Sequence, residues 1–152
     1  MITLYKNIEY VIHYNEMTGT YCAYIKVPVT HKYHFIVDNR KVIKLGKIKS
    51  TIWNGYDAID DIDVHGGFTF SRRITSGELN KGIYPQNFTP GSWIGWDYAH
   101  AGDLMTFPKL PLAVKRGLVA IRKKYPITEH WWNKKEVLRD VKTAINQLLK
   151  AK

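Results

Sequence analysis

The chain has 152 residues, 45% of them hydrophobic and 13% aromatic, with 23 Lys and Arg against 13 Asp and Glu and a net charge of +10. That length suits one domain burying roughly 70% of its unfolded surface, and such a composition excludes a disordered chain. A single cysteine, Cys22, excludes an internal disulfide framework and a cysteine-rich zinc site, and no apolar run approaches the ~18 residues of a membrane span.

In chain order, "KNIEYVIHY" and "TGTYCAYIKVPV" are rich in β-branched and aromatic residues and flank "NEMTG", the pattern of a β-hairpin. "HFIVDNRKVIKLGKI" reads as a strand, a turn at Asp38-Asn39 and an edge segment protected by lysines. In "AIDDIDVHGGFTFS", strand alternation puts Ile62 and Val64 on one side, with Asp61, Asp63 and His65 on the other. "RRITSGELNKGIYPQNFTPG" reads as a long loop of twenty residues, a length usually kept for lids and binding loops. "SWIGWDYA" is a further strand. "PLAVKRGLVAIRKKYP" predicts a helix that stops near Pro126. In "NKKEVLRDVKTAINQLLK", apolar residues from Val137 to Leu149 recur at helical spacing, with Asn133 and Glu136 placed as a capping box. The expectation is one α+β domain: an antiparallel β-rich body over about 1–107 and one or two amphipathic helices over about 108–152.

The positive charge is unevenly placed. Residues 39–50 carry +5, residues 51–65 carry −4 and residues 108–152 carry +9. A basic C-terminal surface attracts nucleic acid or an acidic protein, or simply forms a solvated helix face. No zinc-finger, helix-turn-helix, RNP or P-loop signature accompanies it. "MITLYKNIEY" contains no signal-peptide core, so a reduced cytoplasmic protein is expected.

Chemistry concentrates in "DVHGGFTFS" and "DYAHAGD". Histidine exchanges protons near neutral pH without large retuning. Asp63, two residues before His65, shares its strand face and is placed to orient it. Gly66 and Gly67 permit positive φ and present amides for an anion, while Thr69, Ser71, Arg72 and Arg73 offer hydroxyl and cationic donors. Asp97, His100 and Asp103 recur at intervals of three among small residues that leave room for a ligand. Antiparallel pairing of Phe68–Ser71 with Trp93–Asp97 would bring His65 and His100 to one sheet edge. Two histidines across a cleft can cleave a phosphodiester as general base and general acid, with Asp97 or Asp103 orienting an imidazole. Metal-independent chemistry is therefore expected. His65, Asp63, Asp97 and His100 form an alternative divalent-metal set, disfavoured because the later G-D and G-N-H motifs of metallophosphoesterases are missing.

The ordered stretches "GTYCAYIKVPVTH", "DIDVHGGFTFS", "WIGWDYAHAGD" and "EVLRDVKTAINQL" resemble a family of small phage and prophage proteins over most of the chain. The family pattern carries phenylalanine and cysteine where this chain has Trp96 and Tyr98. The resemblance implies a phage context in a host cytoplasm, with Tyr24, His31, His65, Thr69, Asp97, His100 and Asp103 as a shared set. It does not imply a reaction. By analogy with phage proteins that counter host defence, a small phosphate-bearing nucleotide is the expected ligand. Three functions follow: a phosphodiesterase acting on a cyclic or related nucleotide signal, a non-enzymatic sponge stacking bases on Trp96, Tyr24 and Trp93, or a basic-surface inhibitor of a host defence protein or nucleic acid. Such proteins are often oligomeric, though no residue here specifies an interface.

Overall fold

The computed structural model describes residues 2–34, 59, 61–85, 87–126 and 128–151. The elements run β1 (Thr3–Tyr5), β2 (Ile8–Asn15), β3 (Thr20–Val27), β4 (Phe70–Ile74), α1 (Ser76–Asn80), β5 (Gly91–Asp97), α2 (Leu112–Lys124) and α3 (Lys134–Lys150). The five strands form one antiparallel sheet in the order β1-β2-β3-β5-β4. The protein is thus an α+β fold with C-terminal helices. Among the described residues, no helix is long and apolar enough to cross a membrane.

The expected hairpin is β2–β3, closed with Asn15 opposite Thr20. Gly19 ends its turn at φ 74°, and its N–H donates to the Asn15 carbonyl. An additional strand, β1, precedes it. The β1–β2 turn consists of Lys6 and Asn7, both at positive φ, the requirement of a two-residue turn that twists with its strands. Lys6 is an unusual residue for that conformation, so composition did not announce the turn.

The last strand in sequence lies inside the sheet. β5 pairs with β3 on one side and β4 on the other, and Trp93, Ile94 and Trp96 along it are buried. Strand alternation sends Ile94 and Trp96 to the face covered by α3, where Ile8, Ala23, Ile25 and Val27 also lie. Val137, Val141, Ala144, Ile145 and Leu148 of α3 fill that layer, at the spacing of one helix face. Fully burying each of the larger aliphatic side chains is worth about 1.5–3 kcal/mol. The capping box is present: the Asn133 side chain accepts from the Lys135 and Glu136 N–H groups, and Glu136 returns to the Asn133 N–H. The opposite face carries a smaller cluster of Val11, Ile74, Phe88 and Trp93, packed with Tyr24, Phe70, Leu79 and Tyr84.

Two expectations change. Residues 61–65 form no strand, with a bend at Asp61 and a turn beginning at His65; their alternation survives because Ile62 and Val64 pack in the α3 cluster while Gln147 holds both the N–H and the carbonyl of Asp63. The twenty-residue loop is shorter, since Arg72–Ile74 continue β4 and Thr75 starts α1 through a capping box with Glu78. The strand and turn expected in "HFIVDNRKVIKLGKI" fall, beyond His34, outside the described residues. Helix α2 forms as expected and buries none of its residues.

Candidate functional site

Both histidines sit in tight turns. The Gly67 N–H donates to the Val64 carbonyl, placing His65 and Gly66 in the middle of one turn with Gly66 at φ 67°. The Asp103 N–H donates to the His100 carbonyl, placing Ala101 and Gly102 in the middle of the second, with Gly102 at φ 94°. Positive φ at the third turn position explains both glycines. Gly66 carries a further constraint: a Cβ there would lie 2.3 Å from Cε1 and 2.5 Å from Nδ1 of His100. The ring of one turn therefore rests on the glycine of the other. The Gly67 N–H, expected to bind an anion, is taken by its own turn.

The centre of the arrangement is Asp103, only 4% exposed. Its carboxylate faces Nε2 of His65 at 2.9 and 2.8 Å, and accepts from the Trp132 indole at 2.8 Å and the His100 backbone N–H at 2.9 Å. Burial alone would raise this carboxyl; the donors from His65, His100 and Trp132 outweigh burial and hold it below the usual carboxylate range. With Asp103 ionised and no cation bound, Nε2 of His65 carries the hydrogen that the carboxylate accepts. The His65 ring stacks on Tyr98 at 4.8 Å and 5°, and lies 4.6 Å from the Trp132 ring. Burial holds the Tyr98 hydroxyl above the ordinary phenol range; it accepts from the Trp96 indole and donates to Asp140.

His100 differs. Its Nδ1 is buried and makes no hydrogen bond, at 3.5 Å from Asp103 Oδ2 and 3.8 Å from Asp97 Oδ1. Asp97 is occupied by the Thr69 hydroxyl at 2.8 Å and the Ala99 N–H at 3.0 Å. The two imidazoles meet edge to face at 5.5 Å between centroids. They share one carboxylate and do not stand on opposite sides of a cleft, so a phosphoryl group has no room between them.

Beside His65 lies a groove of about 330 Å³, lined by Asp63, Val64, His65, Trp132, Asp140, Thr143 and Gln147. It runs between residues 63–65 and α3. No Lys or Arg is among the described residues that line it.

The remaining expected residues scatter. Tyr24 lies on the opposite sheet face against Phe70 and Phe88, its ring over Gly95, where a Cβ would come within 2.4 Å. Arg72 is on that face too, paired with Glu78 at 2.8 Å. Ser71 pairs with Ile94, and its buried hydroxyl makes no hydrogen bond. Trp93 and Trp96 are core residues with no ring face free for a base. Both nitrogens of His31 are spent, Nδ1 on the Tyr33 N–H and Nε2 on the Leu148 carbonyl, which makes it a cap on the end of α3. Asp63 reaches the groove, but the cluster with His65 and His100 is completed by Asp103. Trp132 was missed, as were Asp140 and Gln147. Trp132 is delivered by the parallel bridge of Asp103 with His130, just before the α3 cap; the signal available was "HWWN" directly ahead of a helix start.

The chain matches no protein-family model, no curated protein and no solved structure.

Proposed function

We propose that the protein is a small-molecule hydrolase whose reacting centre is the cluster on Asp103 and whose substrate lies in the adjoining groove. The observation that carries this reading is the buried carboxylate gathering His65, His100 and Trp132 at the end of an open groove. A buried Asp that fixes the tautomer of a histidine is a recurrent means of activating water. Water gives up a proton at the centre, hydroxide attacks the ester, and the departing oxygen takes up a proton in turn.

The substrate class proposed is a phosphodiester of a nucleotide type. The groove lies within the usual range for small ligands of roughly 300–1,000 Å³, and the Trp132 ring beside it is suited to stacking on a base. The phage-like motifs favour the same class by analogy. The same groove holding a nucleotide without cutting it is the competing outcome.

Incubating the protein with a panel of linear and cyclic nucleotides, followed by heat denaturation and mass spectrometry, tests the proposal. Cleaved product that disappears in His65→Ala supports the hydrolase. Intact nucleotide released only by heat indicates sequestration. A panel recovered unchanged and unbound removes the nucleotide reading.

A further inference from the structure

His65, His100 and Asp103 are the one group of at least three His, Cys, Asp or Glu residues among those described whose donor atoms converge within 4.8 Å. A buried imidazole nitrogen without a partner is costly, and such atoms call for a specific explanation. Nδ1 of His100 is one, and it cannot be rescued by its neighbours. Asp103 Oδ2 at 3.5 Å and Asp97 Oδ1 at 3.8 Å are both beyond hydrogen-bond reach. The ring is held in place by contact with Gly66, whose missing side chain gives it room.

We propose that His65 Nε2, His100 Nδ1 and the Asp103 carboxylate bind one divalent transition-metal ion of the zinc class, the ion displacing the hydrogen that Nε2 otherwise gives to Asp103. Two imidazoles and one carboxylate form a donor set suited to such an ion, with a position left for water. Ligands about 2.0–2.1 Å from a tetrahedral ion stand roughly 3.4 Å from one another. The separations from Asp103 Oδ2, 2.8 Å to His65 Nε2 and 3.5 Å to His100 Nδ1, bracket that value. Outer support is also present, because metal-ligating carboxylates are normally hydrogen-bonded in turn. The Trp132 indole and His100 N–H hold Asp103. Asp97, fixed by Thr69 and Ala99, stands beside the His100 nitrogen as an outer carboxylate. Tyr98 and Trp132 wall one side of His65, and the groove opens another.

The donor set differs from the alternative suggested by spacing: Asp103 replaces Asp63 and Asp97. It also departs from the metal-independent chemistry expected from the sequence. The inference deepens the hydrolase reading and rests on its choice of centre. A bound ion supplies hydroxide near neutral pH and positive charge for a phosphoryl group, in a groove with no Lys or Arg among its described lining residues.

Equilibrium dialysis and calorimetry with Zn²⁺, together with absorption spectra of the Co²⁺ form, test the site without requiring turnover. Wild type should bind one equivalent and melt about 5 °C or more higher in saturating Zn²⁺. His100→Ala is the decisive variant, because this side chain makes no hydrogen bond whose loss would orphan a neighbour. It should weaken binding by more than about 100-fold, and Trp132→Phe by about 10-fold, the scale of an outer-partner loss. His13→Ala, which removes an exposed histidine on β2 outside the cluster, should change nothing. Equal affinity in wild type and His100→Ala would overturn the metal site, as would no binding by wild type. Nucleotide cleavage persisting in excess chelator and in His100→Ala would also sink the ion while leaving the hydrolase standing. Tight, His100-dependent binding without cleavage of any substrate would do the reverse.

Discussion

The two histidine turns are built alike and finished differently. Each is a four-residue turn closed by a backbone hydrogen bond with a positive-φ glycine in third place. In the first, His65 has Asp103 on one nitrogen, Tyr98 stacked beneath and Trp132 alongside. In the second, His100 rests on Gly66 with a buried nitrogen that bonds to nothing. The proposed metal site rests on this contrast, between an Nε2 of His65 that meets a carboxylate and a buried Nδ1 of His100, in a ring 5.5 Å away, that makes no hydrogen bond. Structural histidines here look different, as His31 shows with both nitrogens paired to backbone groups.

That contrast can be broken at graded cost. Asp103→Ala removes the acceptor of three donors and should cost about 3–5 kcal/mol in denaturant unfolding, with loss of any hydrolysis. Retention of wild-type stability would show that the carboxylate does not hold the turns together. Next comes Gly66→Ala, where a left-handed residue and a displaced His100 ring together cost about 3 kcal/mol. Gly67→Ala has open space around its Cβ and should cost only about 1–2 kcal/mol. Equal melting temperatures for these two variants would refute the ring-on-glycine contact.

Acid titration sharpens the comparison further. Because the folded-state carboxyl of Asp103 lies below its unfolded value, its contribution to stability is complete above the ordinary Asp range near ~3.9. It is lost as pH falls through the lower folded value. The stability gap between wild type and Asp103→Asn should accordingly be constant at neutral pH and close in strong acid; a gap that widens there would contradict the assigned ionised state. Smallest is His31→Gln, which should cost about 0.5–1.5 kcal/mol for a lost cap and leave hydrolysis untouched.

Periodicity made much of this fold legible. The α3 face and its capping box follow directly from the spacing of Val137 through Leu148 and from Asn133 and Glu136, because a helix repeats on a fixed geometry. The antiparallel pairing supposed for the strands now seen as β4 and β5 is present, although alternation alone names no partner strand. The same alternation also explains the scatter of the expected ligand set. Tyr24 and Arg72 share the face opposite Trp96, and a strand face cannot be chosen from sequence without knowing which side the helix covers. Choosing Asp103 over Asp63 and Asp97 needed three-dimensional distances, since all three stand two or three residues from a histidine. Trp132 comes from a segment brought in by a single bridge, and no local pattern encodes that contact.

Helix α3 serves the core and the groove at once. Its inner face seals the sheet, while Gln147 grips the backbone of Asp63 and Asp140 holds the Tyr98 hydroxyl. The groove wall at Asp63 is therefore fastened to the helix through one side chain. The Asp63 amide proton is guarded by that one side chain, so Gln147→Ala should speed its exchange with solvent while the backbone amides inside α3 keep their own rates.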